Sequence, residues 1–200
     1  MKKWGPMSMS THSLRTAVFP RSTALTNAGF IVGGTLFLSA LAQIAIPVPG
    51  SPVPVTGQTL GVLLLATSYG ASLATATFAT YLLAGIAGAP IFANSGHGID
   101  RAIGATGGYL IGMLFASALL GYFGGRKWDQ KFLTALPSML IGTLITFSFG
   151  LVWLHIYTGK DWSWTFSAGL TPFIFGELLK IAIAGTSLPI LWRFVQKKVS

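Results

Sequence analysis

Apolar runs with short polar, proline-rich or glycine-rich interruptions make up most of the chain. Several exceed 18 residues, long enough for a helix to cross a bilayer. Backbone in lipid must satisfy its own hydrogen bonds, so spanning segments are helices or a closed barrel. The runs lack the period-two alternation of a barrel strand. The pattern therefore predicts an all-α bundle of six transmembrane helices, near 23–46, 57–68, 71–89, 104–124, 135–157 and 171–195. The stretch from Gly57 to Ala89 holds 33 residues. As one helix it would be about 50 Å long against a hydrocarbon core of ~30 Å, which favours two spans there.

Composition and charge sharpen this reading. Hydrophobic residues make up 52% of the chain and charged residues 8%, with mean hydropathy +0.68. Soluble domains carry about 25% charged residues. The net charge of +9 is not a nucleic-acid footprint, because the basic residues cluster beside predicted spans. With six spans, Lys2, Lys3, Arg15 and Arg21, the 125–134 loop (Arg126, Lys127, Lys131) and the C-terminal Arg193, Lys197 and Lys198 share one side. That is ten of the thirteen basic residues, and the positive-inside rule makes that side cytoplasmic, with both termini. Five spans would translocate the basic tail. The apolar run after the tail is too long for a signal-peptide core. The expected organisation is a cytoplasmic tail, 1–22, and a six-helix domain, 23–196, of a multi-pass plasma-membrane protein. There is no cysteine, so disulfides and thiolate metal sites are excluded.

Three loops then face outward. The first, 46–57, carries four prolines and is stiff, since proline fixes φ and biases its predecessor toward extended backbone. The others are 90–103 and 158–170. Trp153, Tyr157, Trp162 and Trp164 suggest an interfacial belt. Small residues recur every fourth position as Ala76, Thr80, Ala84 and Gly88, as Gly104, Gly108, Gly112 and Ala116, and as Ser138, Gly142, Thr146 and Gly150. Such stripes let helices approach closely in lipid. Thr35 and Ser39 form a weaker pair beside Gly33 and Gly34.

The sixth span contains the chain's one glutamate, Glu177, and Lys180. Thr171 and Pro172 suit the N-cap and first helical position of this span. At i and i+3, Glu177 and Lys180 share a helix face, just below the outer surface. Intramembrane charges are expensive, and their default reading is functional: a cavity open to the outside, with Glu177 accepting N–H donors and Lys180 donating to a carbonyl or carboxylate. Thr56, Gln58 and Thr59, Tyr109, and the loop residues Asn94, Ser95, His97 and Arg101 converge on the same level. The ligand is then small, polar at its recognition points and otherwise apolar.

The runs AQIAIPVPGSPVPVTGQTLGVLLL, GAPIFANSGHGIDRAIGATGGYLIG and LTPFIFGELLK resemble the BioY family of biotin transporters, the substrate-binding components of energy-coupling-factor importers. The resemblance covers about residues 38–190. It implies six transmembrane helices, biotin bound near the external face, no cofactor, and a partner module of one transmembrane coupling protein and two ATPases. The family's P-G-D-x-x-K motif supplies an acid and a lysine to the ligand, matched here by Glu177 and Lys180. Phe175 stands where proline is usual, glutamate replaces aspartate, and Ala105 replaces the proline of G-P-T-G-G-Y. Thr35 and Ser39 align with the family's docking face. The chain lacks a P-loop G-x-x-x-x-G-K-[ST], so energy must come from partners or the substrate gradient.

Three other readings stand beside this one. A carrier of another vitamin or a biotin precursor is allowed by the glutamate. An intramembrane hydrolase would need His155 paired with a serine, yet no G-x-S-G occurs in a span. A structural partner protein without ligand would tolerate paired apolar replacement of Glu177 and Lys180.

Overall fold

The computed structural model describes residues 13–20 and 22–199, with side chains through Lys197. The basic residues Lys2, Lys3 and Arg21 and the side chain of Lys198 lie outside this description. A short helix, α1 (Leu14–Val18), precedes the long α2 (Ala24–Gln43), which Thr23 caps through a reciprocal bond with Thr26. Two short antiparallel strands follow, β1 (Ala45–Ile46) and β2 (Val55–Thr56). The proline-rich loop is thus a hairpin, and its Val53 is buried.

The 57–89 stretch divides at Gly70 into α3 (Gln58–Tyr69) and α4 (Ala71–Ile86). Gly70 has φ +84°, a left-handed conformation that side-chain-bearing residues avoid. The two helices run back antiparallel, since Gln58 at the start of α3 bonds Tyr81 near the end of α4. A left-handed turn at Asn94 and Ser95 leads to α5 (Gly98–Ala102) and then α6 (Gly107–Gly125). The fourth predicted span therefore starts three residues late, because Gly104–Thr106 form a turn between two helices. After a 3₁₀ turn, Trp128–Gln130, come α7 (Phe132–Thr158), α8 (Trp162–Gly169) and α9 (Ile174–Val199).

Helix α8 was not expected. Asp161 caps it by accepting from the Trp164 backbone N–H. Nor does Thr171 cap α9, as its hydroxyl donates to the Phe166 carbonyl. Pro172 lies instead in a 3₁₀ turn, Thr171–Phe173, that leads into α9.

The closest packing is between α6 and α7. Gly108 faces Trp153 and the Phe149 carbonyl, Gly112 faces Thr146 backbone, and Gly150 faces the Tyr109 ring. A Cβ at any of these positions would overlap its neighbour, so the two small-residue stripes are the contact itself. Trp153 belongs to this contact rather than to an interfacial belt: it packs on Gly107 and Gly108, and its indole N–H donates to Gly104 O at 2.9 Å. The stripe on α4 differs, since its core side is Ala74, Thr77, Phe78 and Tyr81, leaving Ala76, Thr80 and Ala84 half-buried and Gly88 exposed.

The outer faces of the long helices are apolar, with Leu25, Leu36, Leu144, Ile156, Phe175 and Phe194 all more than half exposed. Among the described residues, α2, α6, α7 and the stretch shared by α8 and α9 are long and apolar enough to cross a bilayer, and α4 is a shorter apolar helix. The chain is a helical membrane protein.

Candidate ligand-binding site

One end of the bundle holds a small, partly open cavity. Its wall is drawn from the hairpin (Val53, Pro54, Thr56), the start of α3 (Gln58, Thr59), the 92–101 segment (Phe92, Ala93, Arg101), α6 (Thr106, Tyr109, Leu110, Met113), Phe147 and Phe173, and Glu177. The α3, α6 and α9 contributions all come from helix starts, so chain direction alone gathers the polar residues at one level.

Glu177 sits in the first turn of α9, where the helix dipole favours a negative charge. Its Oε1 lies 2.7 Å from Lys180 Nζ and accepts a bond from Thr59 Oγ1 at 2.8 Å. The Lys180 ammonium also donates to Thr56 O at 2.6 Å and Thr59 Oγ1 at 2.9 Å. An ammonium has three donors, and all three are taken within the protein. Lys180 is not part of the cavity wall. Glu177 is, and its Oε2 is buried with no hydrogen-bond partner among the described residues. A buried carboxylate oxygen in that state is an acceptor waiting for a donor.

Gln58 is buried, donates to Tyr81 Oη at 2.7 Å, and accepts from Thr56 Oγ1 at 3.3 Å. One of its two amide N–H groups is thus committed. The Tyr109 hydroxyl donates to Gly169 O at 2.7 Å, so this residue offers the cavity its ring, packed near Phe147 and Phe173. Arg101 is half-buried, and its guanidinium makes one long contact, 3.4 Å, to Ala93 O. Thr56 also lines the cavity, whereas Asn94 is exposed and outside its wall. Ser95 bonds Gln43, whose amide also donates to Phe92 O, pinning the 92–96 segment to α2. Thr35 and Ser39 lie away from the cavity: both are half-buried, and Thr35 reaches Thr77 O on α4.

Sequence reasoning missed the apolar half of the wall. Phe147 is one of several phenylalanines on α7 and carries no signal of its own, while Phe173 was foreseeable from Pro172, which fixes the turn that places it. Among the described residues, no three histidine or acidic side chains gather as metal ligands. His155 stacks on Trp162 at 4.1 Å, and its buried Nδ1 has no hydrogen-bond partner among the described residues.

A family model described as the BioY family matches residues 10–197. The biotin transporter BioY2 of Lactococcus lactis subsp. cremoris is 34% identical over 171 residues, 84% of this chain and 92% of that protein. The biotin transporter BioY of Thermotoga maritima is 34% identical over 139 residues, 70% of this chain and 80% of that protein. The crystal structure of the S-component for biotin from an ECF-type ABC transporter superposes with a TM-score of 0.78, covering 86% of this chain and 95% of that one at 23% identity. That likeness concerns the fold.

Proposed function

Because the chain belongs to the BioY family, we propose that it captures biotin from the external side as the substrate-binding component of an energy-coupling-factor importer. One observation carries the site assignment: Glu177 lines the cavity with one oxygen saturated and the other buried and unpartnered. The ureido ring of biotin has two N–H donors and a carbonyl, and its tail ends in a carboxylate. Glu177 Oε2 accepts a ureido N–H, and the uncommitted N–H of Gln58 serves the ureido carbonyl. Arg101 takes the tail carboxylate as a charge-assisted pair. The rings of Tyr109, Phe147 and Phe173 and the Met113 thioether pack the apolar middle of the ligand. Lys180 acts through Glu177, holding it ionised and oriented, and Thr56 completes that support through its carbonyl. Asn94 stands at the rim.

In this reading α2, α3, α4, α6, α7 and α9 are the six spans, both termini are cytoplasmic, and residues 1–22 form a tail to a domain of 23–196 in the cell membrane. No cofactor is needed. Energy comes from a partner module of one coupling protein and two ATPases. The α2 face carrying Thr35 and Ser39 belongs to the docking surface.

Titration of detergent-purified protein with labelled biotin tests the site. Saturable binding is expected, displaced by excess biotin and not by thiamine or riboflavin, and lost in E177Q. Displacement by thiamine or riboflavin as efficient as by biotin would assign the cavity to another ligand.

A further inference from the structure

The opposite end of the bundle has a second, larger and more open crevice. It lies where α3 ends at Tyr69, α4 begins and α6 finishes, with α1 and the start of α2 across it. Its charged lining residues, Arg15, Arg126 and Lys127, are all basic. We propose that this crevice binds the headgroup phosphate of an anionic phospholipid, with Arg15 at its base.

Arg15 carries most of the case. Arg15 belongs to the basic stretch expected as a cytoplasmic tail, and it is only 6% exposed. One guanidinium nitrogen donates to Asn27 Oδ1 at 2.6 Å, and Cζ lies 5.0 Å from the Phe30 ring centroid. Its Nε is buried with no partner among the described residues. Asn27 and Phe30 bring no charge, so among the described residues this buried cation has no counter-ion, a state that is costly unless something pairs it.

Among the described residues, no acidic side chain lines the crevice. The chain has four: Asp100, Asp129, Asp161 and Glu177. Asp100 and Asp161 belong to the segments at the other end, and Glu177 is paired with Lys180. Asp129 is fully buried and accepts from the Trp192 indole. Residues 1–12 contain no aspartate or glutamate. An anion from outside the chain would pair with the three cations of this lining.

The surroundings favour a lipid over a soluble phosphate. From the cations the lining runs onto Ile31, Leu73 and Ala76 of the apolar helices, a path suited to an acyl chain. Nearby Val18, Phe19 and Tyr122 are about half exposed, as expected at the membrane interface. Arg126 lies over the Tyr122 ring at 4.4 Å, holding its charge at that level. Basic pockets between transmembrane helices are built to take anionic headgroups.

The test uses delipidated protein in detergent, with native mass spectrometry and thermal unfolding. Phosphatidylglycerol, phosphatidylcholine and inorganic phosphate are added separately. Phosphatidylglycerol should be retained one to one and raise Tm, and neither of the others should do so at equal concentration. R126Q/K127Q removes exposed charges and should keep the helical circular dichroism of the parent. Its apparent affinity for phosphatidylglycerol should fall about fivefold per charge removed, and R15Q should lose retention. If R15Q does not yield folded protein, the double variant decides. Equal retention of the two lipids, unchanged affinity in R126Q/K127Q, or a Tm rise with inorganic phosphate matching that with phosphatidylglycerol would each overturn the proposal. Biotin binding at the far end is not a readout, so failure here leaves that assignment untouched.

Discussion

Replacing Glu177 and Lys180 singly and together separates a ligand site from a self-neutralising ion pair. Their side chains are 7% and 13% exposed, so neither charge is well solvated. In E177Q the Lys180 ammonium keeps Thr56 O and Thr59 Oγ1 and loses its carboxylate. In K180M the carboxylate keeps only the Thr59 hydroxyl. Removing one member of a buried pair costs about 3–5 kcal/mol, which for a chain of this size lowers Tm by about 10 °C. The paired variant E177M/K180M leaves no stranded charge, and such replacements are about neutral or stabilising, so its Tm should return to near the parent value. Biotin binding should not return. The acceptor for the ureido N–H is gone, and losing one partner of a buried charged contact weakens binding by roughly a hundredfold or more. Thermal unfolding in detergent and a labelled-biotin titration read the two effects on the same samples. Parent-like affinity in E177M/K180M would refute the site. Parent-like stability in both single variants would refute the burial argument on which it stands.

Further outcomes follow from other contacts. R101Q should weaken biotin about tenfold and leave a neutral biotin amide unaffected, as measured by competition. G108A should be less stable than the parent by about 2 kcal/mol, read as a lower Tm, because its Cβ would collide with Trp153 and backbone of α7. Burial raises the Asp129 carboxyl from 3.8 to about 6. An acid whose folded value is raised binds its proton more tightly when folded, so this residue's contribution is lost as pH rises from about 4 to 6. D129N should therefore gain stability over the parent as pH increases through that window, by up to about 3 kcal/mol, and a Tm difference that stays flat between pH 4 and 7 would contradict this.

Much of the site was legible because charge in an apolar run has few innocent explanations. Glu177, Gln58, Thr56, Tyr109 and Arg101 all line the cavity, and each was marked by polarity at a common depth. The division of labour was not legible. Spacing places Lys180 beside Glu177 but does not reveal that Thr56 O and Thr59 use its remaining donors, since those contacts bridge more than a hundred residues of sequence. Asn94 was drawn in by proximity in the chain, but the left-handed turn puts it outside the wall. Arg15 is the reverse case: a tail arginine looks solvated until the fold lays α1 against the end of α3. Helix α8 was hidden because two tryptophans in a loop read equally well as membrane anchors.

Helix α3 has no exposed residue along its length. Its residues are all buried or half-buried, so neighbouring helices hold most of its surface. The groups it contributes, Gln58 and Thr59, are therefore the fixed jaw of the binding cleft. The hairpin and the 92–101 segment complete the wall as loops laid over that jaw. Amide hydrogen exchange should find its fastest and its most protected backbone within a few residues of each other, on either side of Gly57.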